Sequence, residues 1–393
     1  MADGRPHPRL SVLHVTHSGE PGGAELALLR LVQAPSWHAV VTTPRSPGPS
    51  VFDAVARYER IGPRQPAGAS SPSPVDSVRF ASRVAAAAIS LRRSEAFRRA
   101  DLLHANTARS AVYATLAGVG TGMPVVVHIN DMVDSEGMGR IGAEVMHRFV
   151  LPRAAGVIAC SKAALTSAKQ SVGEGVLTTA ILPPSDLQRP EKVKVRSQVR
   201  QVGMVARLHS WKGQMLLLHA FARAFPTGDV VLRFAGGAFF ESGGFETDLR
   251  REVEAMGLGD RVSVEGHLDD IPSFLDEIDI AVHCAMRPEP LGQNVVQYLA
   301  AGKATIVSGE GGPLEWVKDR ENGLTFEPRS VVDLAAKLRS LAADRELRSR
   351  LAHSAVRTPG LLTDDESRAS HGRFFRKVYE NHRRDALLVS SGT

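Results

Sequence analysis

Cysteine is nearly absent from this chain. Cys160 and Cys284 lie far apart with no second cysteine beside either, which leaves neither a thiolate metal site nor a disulfide scaffold. Both close apolar runs and read as buried core positions at strand ends. Aromatic residues are scarce, at 5%. No aromatic-interleaved basic motif accompanies the positive charge, which argues against nucleic acid as a partner. No run of eighteen apolar residues offers a membrane span, and the opening MADGRPHPR lacks the apolar core of a signal peptide, so the expected location is cytoplasmic. Neither half opens with G-x-G-x-x-G and a ribose-binding acid, which sets aside a dinucleotide-dependent dehydrogenase.

What remains is an ordinary globular composition spread over 393 residues, more than one typical core can serve. Two domains are expected. Charge is uneven: residues 1 to 190 hold 20 Arg+Lys against 14 Asp+Glu, whereas the remainder holds 28 of each. Much of the excess sits on Arg79, Arg83, Arg92, Arg93, Arg98 and Arg99, around VAAAAISL. A solvated helix face explains it; attraction to an anionic acceptor or a membrane surface is the sharper alternative.

In chain order, a disordered start gives way to a strand at Ser11–His17, then a glycine turn through Gly22 and Gly23 into a helix. Further strands are expected at His38–Thr43, Leu102–Asn106, Pro124–Asn130, Gly156–Cys160 and Leu177–Leu182. A surface loop spans Pro63–Pro74, one helix runs from about Ser77 to Arg99, and Ser161 caps the helix after GVIAC. A proline- and charge-rich linker follows. Alternation restarts at Val202–Ala206 and continues through Val230–Gly237, Arg261–Leu268 and Ile278–Cys284. Such alternation marks parallel sheets, whose ligands sit at the carboxyl ends of strands. The stripe Phe374, Phe375, Val378 and Tyr379 reads as core packing, and the tail past Leu388 as disordered.

Two stretches carry chemistry. The first is R-x-x-x-x-K-G after a strand, with Arg207, Lys212 and Gly213; two fixed cations there suit a departing diphosphate. The second is RPEPLGQNVVQYLAAGK, Arg287 to Lys303. Pro288 and Pro290 keep the backbone extended, placing Glu289 on a loop lip, and Gly292 opens a helix whose first amides suit a phosphate. Gln297 follows Glu289 by eight residues, and the Gly311–Gly312 turn offers further amides.

These motifs resemble the nucleotide-sugar signature of retaining glycosyltransferases of the GT-B fold, glycosyltransferase family 4, and the resemblance extends from Ser11 to about Arg384. It implies two Rossmann-like α/β/α domains facing across a cleft: residues 1–188 binding acceptor, 189–363 binding the nucleotide sugar, and 364–393 a helix crossing back to the first domain plus a tail. It implies a metal-independent, retaining enzyme moving a hexose or N-acetylhexosamine from a UDP or GDP sugar to a hydroxyl of a small-molecule, natural-product or envelope-glycan acceptor. No Asp-x-Asp pair stands beside the phosphate motif. The catalytic set is then Arg207, Lys212, Glu289 and His128, with His128 touching the donor hexose. Donor binding falls to Gly22, Gly23, Gly213, Pro290, Leu291, Gly292, Gln293 and Gln297, and acceptor binding to Asn130 and Asp131. The family's backbone against the nucleobase matches Val264 to Leu268. Gln297 stands where the family usually has Glu; an amide still bonds a diol but without charge assistance. Ala304 replaces the usual Pro. The arginine- and alanine-rich composition points to a high-GC bacterial source, and the lack of a strong amphipathic anchor favours a soluble acceptor. A sugar-nucleotide epimerase and a partner protein with a lost site stay open as alternatives.

Overall fold

The computed structural model describes residues 9–64, 74–237 and 243–391. Most of the expected Pro63–Pro74 loop and residues 1–8 lie outside these. The chain divides into two compact units, Met1–Ser185 with Leu362–Thr393, and Asp186–Leu361. Among the described residues no helix is long and apolar enough to cross a membrane.

The first unit is built on seven strands: β1 (Ser11–Val15), β2 (His38–Thr43), β3 (Tyr58–Arg60), β4 (Leu102–Ala105), β5 (Val125–Ile129), β6 (Gly156–Ala159) and β7 (Leu177–Ala180). They pair parallel throughout in the order β3-β2-β1-β4-β5-β6-β7. The second unit has six: β8 (Gln201–Val205), β9 (Val231–Ala235), β10 (Val262–Gly266), β11 (Ile280–His283), β12 (Ala304–Ser308) and β13 (Leu324–Phe326), ordered β10-β9-β8-β11-β12-β13. This is the expected pair of parallel α/β domains. In each sheet the order reverses beside its first strand, between β1 and β4 and between β8 and β11. Those two places open the crevices in which doubly wound sheets hold ligands.

Buried on both faces, the central strands are near-continuous apolar runs, as VVVHI in β5 and GVIA in β6 show. Cys160 and Cys284 directly follow β6 and β11 and are buried. Ser161 accepts from the Ala164 amide as an N-cap. Two expectations change. The single helix over Ser77–Arg99 is two, Pro74–Arg93 and Glu95–Arg99. Between them Ser94 stops the first by donating its hydroxyl to Leu91 O and starts the second by accepting from Phe97 N. The C-terminal helix runs Asp364–Ser391, past the Leu388 at which a tail was expected, because Ala-Leu-Leu-Val continues a helix-compatible pattern. Its Phe374, Phe375 and Val378 are buried in the first unit's core with Val12, Trp37 and Ile158, and Tyr379 packs against them.

Inside that core lies a chain of histidines. His14 and His104 are register partners on β1 and β4, and their Nδ1 atoms are 2.9 Å apart. Trp37 Nε1–H donates to His14 Nε2 at 2.9 Å, and His104 Nε2 meets His128 Nδ1 at 3.1 Å. The indole has only a proton to give, so every tautomer follows from it. His14 carries its proton on Nδ1, His104 on Nε2, and His128 on Nε2, which has no partner among the described residues. His371, on the last helix, donates Nδ1–H to Ser367 O, and its ring stands 5.6 Å from that of His128. Burial lowers the pKa of all four, with their mutual repulsion adding to it at His14, His104 and His128; His14 falls to about 3 and His371 to about 4. All four are neutral at neutral pH.

Candidate nucleotide-sugar site

At the β8/β11 crevice two loops meet. The chain leaves β8 through RLHSWKG, makes one tight turn over Ser210–Lys212, and enters the helix Gln214–Ala224 through Gly213. Gly213 is required twice over. Its φ is +85°, and a Cβ there would stand 1.9 Å from Cys284 O at the end of β11. Gly213→Ala is therefore expected to destabilise the second unit by about 3 kcal/mol or more, read as a lower denaturant midpoint; a change under about 0.5 kcal/mol would mean this packing is wrong. The turn is stitched to the second loop by Met286 N–H donating to Trp211 O at 2.7 Å.

The second loop, Arg287 to Gly292, follows β11 and enters the helix Gln293–Ala300 through Gly292, again left-handed at φ +72°. Its shape is set from behind by Gly311 and Gly312. A Cβ on Gly311 would meet Glu289 N at 2.7 Å, and one on Gly312 would meet Pro290 O at 2.2 Å. The Gly312 amide donates to Glu289 O at 2.7 Å, so it is spent on this loop rather than offered to a ligand as the sequence reading had it. The helix is tied to the end of β8: Tyr298 Oη accepts from Val205 N, and Asn294 Nδ2 donates to Val205 O. Leu291 is buried, while Gln293 and Gln297 are half-buried and, four residues apart, share one face.

Glu289 departs from expectation. It is 6% exposed, not on a loop lip, because the Gly311–Gly312 turn presses the loop inward onto the Lys212 turn. Its Oε1 takes a 2.5 Å ion pair from Lys212 Nζ. On the other side stands His283, the last residue of β11, 2% exposed, with Nε2 3.4 Å from the same oxygen and no hydrogen bond formed at either ring nitrogen. Burial pushes the Glu289 carboxyl up, but the Lys212 ammonium and the His283 imidazole outweigh it and hold the group well below the usual carboxylate range. Lys212 also lies over the Trp211 ring, 4.1 Å from its centroid, and Arg287 lies 4.3 Å from the same centroid. Arg207 is exposed, and its carbonyl accepts from Gln214 Nε2. His283, Trp211 and Arg287 were not singled out from the sequence. The spacing of a strand-end histidine six residues before Glu289 was the available signal.

At the β1/β4 crevice of the other unit, Gly22 and Gly23 lead into the helix Gly23–Leu31, and a Cβ on Gly22 would meet Glu25 Oε2 at 2.5 Å. Glu25 is a buried carboxylate that the sequence did not flag. Thr16 Oγ1 donates to it at 3.0 Å, and burial raises its pKa. His17 Nδ1 is 3.6 Å away, yet burial and Arg109 lower its pKa to about 4, so this contact is not an ion pair at neutral pH. Asn130 Nδ2 donates to Asn106 O, and Asp131 is exposed just beyond it. His128 is 3% exposed and engaged with His104, inside the sheet rather than at its edge. Among the described residues no group of three or more His, Cys, Asp or Glu is gathered to hold a metal ion.

Comparison with known proteins agrees with this architecture. Residues 22–184 match the model of the glycosyl transferase 4-like domain, and residues 187–357 that of the glycosyl transferases group 1. The lipopolysaccharide core biosynthesis glycosyltransferase LpsE of Rhizobium meliloti is 31% identical over 28% of this chain and 32% of its own length. The lipopolysaccharide core biosynthesis mannosyltransferase LpsB of the same organism is 26% identical over 60% of this chain and 68% of its own. The chain thus spans only about a third to two thirds of these two relatives. The fold of Anabaena HepE, solved with UDP and glucose, superposes with a TM-score of 0.77 at 24% identity, covering 94% of this chain and all of that one. With both halves matched in order and the fold shared, the chain belongs to the glycosyltransferases of the GT-B fold.

Proposed function

We propose that this chain transfers a hexose or N-acetylhexosamine from a UDP or GDP sugar to an acceptor hydroxyl, with retention of configuration and without a metal ion. The observation that carries the reading is the Lys212–Glu289 pair, a cation and a carboxylate brought from two loops onto the switch point of the second sheet. Lys212, with Arg207 and the amides before Gln293, would take the diphosphate and neutralise the charge it gains on leaving. Gly213 lets the Lys212 turn approach closely. Pro290, Leu291 and Gly292 hold Glu289 toward the hydroxyls of the donor sugar, and Gln297 would bond the ribose diol from the face it shares with Gln293. Gly22 and Gly23 would serve the donor, and Asn130 and Asp131 the acceptor. His128 is given an indirect role, supporting the strand end that carries Asn130 and Asp131, since its burial argues against sugar contact.

The names of LpsE and LpsB favour an envelope-glycan acceptor over a small natural product. Thermal unfolding against nucleoside diphosphates and their sugars, in chelator, tests the donor side. A midpoint that rises for one base at millimolar ligand is expected, since a ligand selective for the folded state must stabilise it. No shift for any member would move the reading to a partner protein whose site was lost with the change to Gln297.

A further inference from the structure

Lys212 and Glu289 are each assigned work on the donor, yet in this structure they occupy one another. Lys212 can reach a diphosphate only by drawing its ammonium at least partly away from Glu289 Oε1. That would leave a 6% exposed carboxylate short of its main partner, and breaking a buried ion pair on one side is costly because the other charge stays buried. A second donor must be at hand if Glu289 is to stay ionised and in place.

Among the described residues, the other buried side-chain donor within 4 Å of that carboxylate is His283, whose Nε2 is 3.4 Å from Oε1. Its ring sits at the end of a central parallel strand, so its position is fixed by the sheet. Both of its nitrogens are buried and, among the described residues, have no hydrogen-bond partner. No neighbour dictates the tautomer, and the proton can reside on Nε2. We propose that His283 is the positioning residue of this site: its Nε2–H takes over Glu289 as Lys212 moves to the donor diphosphate. This inference rests on the donor-site reading above. In the resting chain the carboxylate is shared unequally between the ammonium and the imidazole. With diphosphate bound it becomes a carboxylate held by the His283 Nε2–H, with its remaining lone pairs turned to the sugar.

The test uses the full chain and whichever nucleoside diphosphate raises the unfolding midpoint. His283→Leu is expected to weaken that diphosphate about tenfold or more, because Glu289 is then left unpaired when Lys212 departs, while the bare nucleoside binds as in wild type. His283→Gln, which keeps an N–H near the Nε2 position, is expected to recover most of the loss. A role in packing alone would move nucleoside and diphosphate together and would not distinguish Gln from Leu. A His283→Leu chain that binds the diphosphate as tightly as wild type overturns the proposal. Should that variant not fold, ¹⁵N imidazole spectra of the wild type decide: the diphosphate must select the Nε2–H form, and an Nδ1–H form in the complex overturns it. A wild-type chain that binds no diphosphate would instead strike down the donor-site reading itself, and this proposal with it.

Discussion

Lys212→Ala is expected to lower turnover at saturating donor by about a hundredfold or more, as removal of a single preorganised transition-state donor commonly does. The loss should fall on kcat at least as much as on KM, because the diphosphate gains charge as it leaves and the ammonium is worth more then than in the ground state. The structure adds a second consequence. Without Lys212, Glu289 keeps its burial and loses its largest favourable neighbour, so the carboxyl should rise from its depressed value and stability should fall with it. Adding Glu289→Gln to Lys212→Ala removes that buried charge and should recover folding without recovering turnover. A Lys212→Ala enzyme with near-native turnover would end the assignment of the second unit as the donor site.

Acid should begin to destabilise this protein from about pH 6.5, above the carboxylate range. His14, His104, His128 and His371 are neutral in the fold, held below the 6.5 of an unfolded histidine by burial. A folded pKa below the unfolded one means that the unfolded chain binds protons which the fold refuses. Stability is therefore complete above about pH 6.5 and falls as the pH drops below it, until the lowered folded values are reached, about 3 for His14 and about 4 for His371. Each refused proton costs about 1.4 kcal/mol per pH unit, so four set a limiting slope of about 5 kcal/mol per unit. Against a usual stability of about 5–15 kcal/mol, the first unit should be lost within roughly one to three units of pH 6.5.

The groups facing the cluster are the four rings themselves with Trp37, Phe375 and the Ser367 carbonyl. His17 acts in the same direction. Glu25, whose carboxyl is raised by burial, opposes them with a single proton. Urea midpoints measured at pH 7.5, 6.0 and 5.0 should fall steeply, and equal midpoints across that range would mean that the histidines are not buried as a neutral chain.

Much of this was legible in the chain itself. Short runs rich in apolar residues marked ten of the thirteen strands or their immediate surroundings, because strand period and turn sterics act over a few residues. The exceptions are β3, three residues of Tyr-Glu-Arg at a sheet edge, too short and polar to stand out, β12, the Ala-Thr-Ile-Val-Ser run that follows the Gln293–Ala300 helix, and β13, a three-residue Leu-Thr-Phe. Gly213 and Gly292 were also readable, since a left-handed residue before a helix leaves few other choices. So was the spacing from Arg207 to Lys212 and from Glu289 to Gln297, which fixes where charges sit along a turn and a helix.

Sequence spacing could not say whom those charges would meet. Lys212 and Glu289 are 77 residues apart, and they touch because β8 and β11 are neighbours in the sheet. His14 and His104 are 90 apart and lie opposite each other in a parallel register. His128, read from its strand as a ligand contact, is claimed by that chain once β4 and β5 pair and the last helix covers them. Local sterics and periodicity act through neighbouring residues, so the sequence determined the elements and the chemical character of each loop. Burial, ion pairing, tautomer and pKa depend on groups that only the order and register of the strands bring together, and the tertiary structure decided those.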